Sequence, residues 1–148
     1  MSVYVPSETR QLLLKLYLFN ELDEAELERL LAQAELTEFD QGAYPVEEGD
    51  HGTHLYVILA GQVRITKRAF GVQKTLGTLG PGECFGEMSL IEQRGRSASA
   101  RAISHCKLLR LDREALTPLH EISAKIYRNI AILLSRRLRH LNDVLTLG

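Results

Sequence analysis

Short apolar segments alternate with glycines through the middle of the chain, from Phe39 to Leu111. Segments such as 55–59 and 63–65 are rich in β-branched and aromatic residues, which favour strands. Glycines interrupt these segments at positions 42, 49, 52, 61, 71, 77, 80 and 82. Because short strands separated by glycine turns are typical of antiparallel folds, the pattern predicts a β-roll or jelly roll over residues 38–111.

The spacing of apolar residues becomes helical before this region. Residues 8–16 and 23–33 are predicted to form helices. Asp23 is a suitable cap for the second helix, and Glu26 follows three residues later, as in a capping box. We assign 1–37 to N-terminal helices, so the predicted fold class is mainly β, an antiparallel roll with flanking helices.

A long helix is predicted to close the chain, within residues 112–146. After a short turn from Asp112, Thr117 would cap this helix and Pro118 would occupy its first position. Apolar residues then recur at spacings of three and four. They end in a narrow stripe formed by Leu134, Leu138, Leu141 and Leu145. Such a stripe fits either a homodimer or partner seam, or packing of the helix on its own roll.

The length and net charge of the chain exclude several classes of protein. The 148 residues suit a single domain, 1–148, with a sizeable core. A net charge of −1 argues against a DNA-binding surface. No signal peptide and no apolar run of membrane-spanning length is found, so we expect a cytoplasmic protein without membrane contact. Cys84 and Cys106 are then expected to be reduced packing residues.

The stretch 82–101 carries the clearest chemistry. Gly86 lacks a β-carbon, so a ligand can approach the backbone, and residues 87–91 can form a helical turn whose free amides favour an anion. Arg96 follows a short loop and offers donors to two phosphate oxygens. Ser97 adds a hydroxyl, and Glu87 can accept a hydrogen bond from a ribose hydroxyl. These parts together suit a phosphorylated ribose.

This stretch resembles the phosphate-binding cassette of the cyclic nucleotide-binding domain family. The matching residues are Phe85, Gly86, Glu87, Met88, Ser89 and Leu90, then Arg96, Ser97 and Ala98. The resemblance implies that Glu87 holds the ribose 2′-hydroxyl. It also implies that Arg96 binds the cyclic phosphate, helped by Ser97 and the amides of residues 86–89. Gly95 stands where the family has proline, so we expect a more flexible loop over 92–95 and weaker binding.

A purely structural interpretation of the cassette stays open. Gly86 would then serve only the fold, while Arg96 would be a solvated charge or would pair with Glu87 across the site.

In the catabolite-activator branch of the family, the closing helix forms the dimer seam and covers the base of the nucleotide. Alignment through residues 135–138 places Leu141 and Asn142 at the base contacts, with Arg139 and His140 nearby. Leu141 is apolar where that branch has a hydroxyl, which leaves the base preference open. Ser97 rather than threonine favours cyclic AMP over cyclic GMP.

Relatives in that branch continue into a helix-turn-helix module, whereas the sequence given ends at Gly148. We therefore expect no DNA contact by this chain alone. The basic run of Arg136, Arg137, Arg139 and His140 is interpreted as a solvated helix end. The sequence also fits the sensor fragment of a larger regulator.

An enzyme is not expected. A metal-binding roll of the cupin type needs two histidines one residue apart, whereas His51 and His54 are three apart. Ser97 and Ser99 have no evident base to activate them. We therefore predict no metal and no cofactor, and we predict a regulatory module that binds a cyclic nucleotide and moves its last helix. The alternative is a ligand-free scaffold that dimerises through that helix.

Overall fold

The computed structural model describes residues 5–92 and 95–147. It contains the following elements in chain order: α1 (Ser7–Leu14), a 3₁₀ turn (Tyr17–Phe19), α2 (Glu24–Leu31), β1 (Glu35–Phe39), β2 (His54–Ala60), β3 (Val63–Ala69), β4 (Val72–Leu79), β5 (Cys84–Phe85), α3 (Met88–Ile91), β6 (Ser99–Ala102), β7 (Cys106–Asp112), α4 (Arg113–Leu116) and α5 (His120–Leu147).

The strands form two antiparallel sheets. One has the order β1-β7-β2-β5 and the other the order β4-β3-β6. Strands β2 and β7 lie at the centre of the first sheet, and both have buried side chains on each face. An antiparallel roll with flanking helices and a long last helix is therefore confirmed.

Successive side chains of the central strands point to opposite faces of the sheet, and they therefore belong to two separate apolar clusters. Tyr56 and Leu108 point between the sheets and pack with Phe85. Leu55 and Leu109 point to the opposite side, where the helices cover them. The cassette therefore begins at a strand whose aromatic residue belongs to the core between the sheets.

The N-terminal helices begin and end close to the predicted positions. The capping box is confirmed, because the Glu26 amide donates to Asp23 Oδ1 at 2.8 Å and the Asp23 amide donates to Glu26 Oε1 at 3.2 Å. The first strand begins at Glu35 rather than at residue 38. Glu35 pairs with Arg110 of β7, and this distant partner decides where β1 starts.

The start of the last helix was predicted wrongly. Thr117 does not cap it, because the Thr117 hydroxyl donates to the Arg113 carbonyl oxygen at 3.1 Å and so closes α4. Helix α5 begins at His120 and has 28 residues. Ile122, Ile126 and Ile130 are buried in its first half, whereas residues 135–146 are exposed. The first half of α5 is therefore fixed to the roll, while the apolar side chains Leu138, Leu141, Val144 and Leu145 of the second half are exposed.

Within residues 5–92 and 95–147, no helix has both the length and the apolar character needed to cross a membrane.

Candidate functional site

A cavity of about 660 Å³ opens beside the cassette. Residues 84–89 and 95–100 form one wall, Ile65, Leu76 and Leu79 of the three-stranded sheet form another, and Arg137 reaches in from α5. Its volume lies in the range typical of small-ligand sites, roughly 300–1,000 Å³. Every residue predicted to bind the ligand within the cassette, from Phe85 to Ser89 and from Arg96 to Ala98, lines this cavity.

Arg96 is buried in the cavity wall, with 7% of its surface exposed. Its Nη2 donates to the His54 carbonyl at 2.9 Å and its Nη1 lies 3.4 Å from the Gly86 carbonyl. Its main chain is also fixed, because the Arg96 amide donates to Asp50 and its carbonyl accepts from Gly49. Burial lowers the pKa of the guanidinium, but an arginine stays charged. The interpretation of Arg96 as a solvated charge is therefore wrong.

Glycine is required at position 86 for two reasons, the backbone conformation and the closeness of the Arg96 side chain. Its φ is +83°, a left-handed conformation that favours glycine. A β-carbon at this position would lie 2.7 Å from Arg96 Nη1 and 3.2 Å from the His54 carbonyl oxygen. The Arg96 guanidinium therefore occupies part of the space beside Gly86 that was predicted to admit a ligand.

Gly95, the last residue of the predicted 92–95 loop, contacts the main chain of residues 49–51. It forms a β-bridge with His51, and a β-carbon there would lie 2.8 Å from the Gly49 carbonyl oxygen. The absence of a side chain is therefore needed for this close backbone contact. Residues 93 and 94 of the predicted 92–95 loop lie outside the described residues.

Glu87 is buried, with 6% of its surface exposed, and it faces α5. Arg137 Nη1 donates to Glu87 Oε1, while the arginine itself is half-exposed. A buried carboxylate requires a cation or several donors, and Arg137 meets this need. The predicted pairing of Glu87 with Arg96 is not the ion pair that forms.

Arg137 was not predicted at the site, because its basic run was interpreted as a solvated helix end, whereas its side chain lines the cavity. One signal was available. Arg137 lies four residues before Leu141, so the two share a helix face, and Leu141 was already assigned to the ligand side of the helix. The side chain nearest the cavity is thus one turn earlier on the face that the family alignment selected.

The remaining cassette residues differ in their exposure. Phe85 is buried and its ring stacks on Tyr56 with centroids 5.2 Å apart. Ser89 is buried, and its amide donates to the Gly86 carbonyl at 3.1 Å, so this amide is not free as expected. Met88 and Ser97 are exposed at the cavity, and Ala98 is half-buried.

The three residues predicted on the base side do not line the cavity. Arg139, Leu141 and Asn142 are exposed on the second half of α5, beyond Arg137. The structure therefore brings the cassette and Arg137 together and leaves these three residues apart from them.

Two titratable groups near the site are held neutral by their surroundings. Burial, reinforced by the charges of Arg110 and Arg96, lowers the pKa of His54 to about 4. Burial and the Glu87 carboxylate raise the pKa of the Cys84 thiol to about 12. Among the residues that the structure describes, no group of three or more His, Cys, Asp or Glu side chains is placed to hold a metal ion.

The sequence model of the cyclic nucleotide-binding domain matches residues 36–123, which include the whole cassette. This chain belongs to the cyclic nucleotide-binding domain family. Two curated relatives show the breadth of the family. The cyclic AMP receptor protein of Thermus thermophilus is 41% identical over 82% of this chain. A cAMP-dependent protein kinase regulatory subunit of Eremothecium gossypii is 32% identical over 67% of it.

Solved structures of the family have the same fold. The crystal structure of the Thermus thermophilus catabolite activator protein superposes with a TM-score of 0.81 at 39% identity, over 88% of this chain and 62% of that chain. The present chain spans 57% of the length of the Thermus receptor protein and 21% of the kinase regulatory subunit.

Proposed function

We propose that this protein is a regulatory module that binds a cyclic nucleotide, preferentially cyclic AMP, and transmits occupancy through its last helix. The observation that supports this most is the buried Arg96, which lines a cavity of about 660 Å³ together with the carboxylate of Glu87. A fixed cation and a fixed acceptor in one cavity suit a ligand with an anion and a hydroxyl. The module is proposed to be cytoplasmic and not catalytic.

Arg96 is the proposed phosphate ligand. Its guanidinium carries five N–H donors, and the contacts with His54 and Gly86 use two of them. The remaining donors are available to two phosphate oxygens, in a charge-assisted geometry that gives short and strong hydrogen bonds. The Ser97 hydroxyl in the same wall is the proposed additional donor, and the presence of serine rather than threonine at this position is the basis of the proposed cyclic AMP preference.

Glu87 is the proposed acceptor for the ribose 2′-hydroxyl. A ribose bound there would share the Glu87 carboxylate with Arg137 of α5. Ligand binding would therefore change the ion pair between the cassette and α5. A ligand shifts a conformational equilibrium only by its differential affinity for the two states. Leu141 and Asn142 lie further along α5 than Arg137, and base contacts through them require the exposed second half of the helix to cover the cavity.

Replacing Arg137 by alanine should weaken cyclic AMP binding by about 3- to 10-fold. The substitution leaves a buried carboxylate unpaired beside the phosphate site, although the half-exposed position of Arg137 reduces the effect. Titration calorimetry measures the change. The matched control is Arg136→Ala, because Arg136 lies over the Tyr17 ring, with 4.4 Å from its guanidinium carbon to the ring centroid. Equal affinities for the two variants would contradict a role of Arg137 at the ligand.

The second half of α5 is the proposed homodimer seam. Leu138, Leu141 and Leu145 are exposed there, as is Val144 beside them. We expect the wild type to sediment as a dimer at micromolar concentration and Leu138→Glu to sediment as a monomer, since a charge in an apolar seam is not compensated. Leu12→Glu, at another exposed leucine on α1, is the control and should remain dimeric. A monomeric wild type would refute the seam.

The direct test of the proposal is titration calorimetry of the ligand-free protein with cyclic AMP and cyclic GMP. The expected result is saturable binding, tighter for cyclic AMP, and no binding of 5′-AMP at the same concentrations, because its dianionic phosphate and open ring do not match the cyclic phosphate. Absence of binding by a folded sample would refute the sensor function. It would favour the second candidate, a scaffold that dimerises through the exposed leucines of α5.

A further inference from the structure

The cassette helix α3 is too short to hold its own shape. It has four residues, Met88–Ile91, and the amide of Glu92 donates to the Met88 carbonyl at 2.8 Å. The first turn of a helix costs more conformational entropy than its few hydrogen bonds return. Contacts from elsewhere in the fold must therefore keep this turn in place.

Two side chains from outside the cassette donate to the main chain of α3. Arg113 Nη2 donates to the Ser89 carbonyl at 2.6 Å, and the Tyr127 hydroxyl donates to the Leu90 carbonyl at 3.1 Å. These carbonyls belong to the last part of the helix, where carbonyls have no partner within it. Arg113 belongs to α4 and Tyr127 to α5, so both elements after the roll hold the same turn.

Arg113 is held at both its main chain and its guanidinium group. Its Nε is buried and has no hydrogen-bond partner within the described residues. The Arg113 amide donates to the Thr53 carbonyl at 2.7 Å, so the residue is fixed beside the start of β2 while its side chain reaches α3.

Neither donor lines the cavity, so both must act through the cassette main chain. Ser89 and Leu90 are buried, and they follow Gly86, Glu87 and Met88 in the same turn; Ser89 lines the cavity with these three residues, whereas Leu90 does not. A nucleotide in the cavity would approach the Gly86 side of the turn and would not compete for these carbonyls. The two contacts can therefore persist in the empty and the occupied protein.

We infer that Arg113 and Tyr127 are positioning residues that hold the cassette turn in its nucleotide-accepting geometry before the ligand arrives. This inference rests on the proposed function. Without the two donors, α3 is ordered in only a fraction of the molecules, and the apparent affinity falls by that fraction. A contact with a purely structural role would change the stability of the fold and leave the affinity unchanged.

The test substitutes Tyr127→Phe, which removes one hydroxyl and keeps the ring. Tyr44→Phe is the matched control, because the Tyr44 ring lies against Arg101, at 5.6 Å, away from α3. Hydrogen exchange of amides 87–92 in the empty protein should become about 5-fold faster in Tyr127→Phe alone. Calorimetry with cyclic AMP should show binding weakened by about 5-fold in the same variant.

A second pair of variants tests the other donor. Arg113→Ala should raise exchange in α3 and weaken binding as Tyr127→Phe does, and Arg113→Lys should restore part of both because an ammonium can still donate to the Ser89 carbonyl. Thermal melting of each variant confirms that the comparison is made between folded proteins.

Unchanged exchange of amides 87–92 in both Tyr127→Phe and Arg113→Ala would overturn the inference. Faster exchange with unchanged cyclic AMP affinity would overturn it too, because the contacts would then serve only the fold. A wild type that binds no cyclic nucleotide refutes the proposed function itself, whatever the exchange of α3 shows.

Discussion

Arg96→Ala is expected to weaken cyclic AMP binding by about 100-fold or more. Truncating one partner of a buried, hydrogen-bonded charge pair costs roughly 2–5 kcal/mol, and every 1.4 kcal/mol is a factor of ten in affinity. Arg96 meets the conditions for such a cost, because it is 7% exposed and is held by the carbonyls of His54 and Gly86. Titration calorimetry on wild type and variant measures the difference.

The matched control for this substitution is Arg68→Ala. Arg68 is an exposed arginine on β3 that does not line the cavity, so its removal changes the net charge equally and leaves the site intact. Arg96→Lys is the graded variant, since it keeps the positive charge and loses the planar fork of donors. We expect its affinity to fall between those of the wild type and Arg96→Ala. A folded Arg96→Ala that binds within threefold of the wild type would exclude Arg96 as the phosphate ligand.

Gly86→Ala is expected to lower both stability and affinity. Alanine at a φ of +83° costs about 1–2 kcal/mol in backbone strain. In addition, its β-carbon would lie 2.7 Å from Arg96 Nη1, so the guanidinium must move from the position in which it faces the cavity. We expect thermal melting to show the strain and calorimetry to show cyclic AMP binding weaker by roughly 10-fold.

Gly71→Ala separates the two effects. Gly71 also has a positive φ, +77°, but a β-carbon there would meet nothing within 4 Å. The control therefore introduces similar backbone strain at the β3–β4 turn without a contact at the site. Loss of stability in both variants with loss of affinity only in Gly86→Ala is the expected result. If the two variants bind cyclic AMP equally, the contact between Gly86 and Arg96 does not position the phosphate ligand.

The cassette was predictable because its members lie close together in the sequence. Residues 85–89 and 96–98 are separated by one short loop, and the structure places all of them on one cavity. The capping box of α2 was predictable for the same reason, since Asp23 and Glu26 are within one helical turn. Local hydrogen bonds depend only on neighbouring residue types and spacing.

The error at Thr117 has a physical cause. A threonine before a proline is a good cap, but its hydroxyl can equally donate to the carbonyl four residues earlier. Which of the two hydrogen bonds forms depends on α4, a four-residue helix that is too short to show a helical pattern of apolar residues. It also depends on the packing of Leu116 of α4 in the core. The same applies to the exposed base-side residues, whose distance from the cavity depends on how α5 packs.

By itself, the sequence determined the fold class and the helix that begins at the Asp23 cap, because both follow from periodicity or from local spacing. The cassette residues were predicted from the sequence through their resemblance to the pattern of the family. Only the tertiary structure decided which groups pair with the charged side chains of the cassette. Arg96 binds the carbonyl of His54, 42 residues away, and Glu87 binds Arg137, 50 residues away. Buried charges require partners, but which partner is in reach depends on how the roll closes and where α5 crosses it.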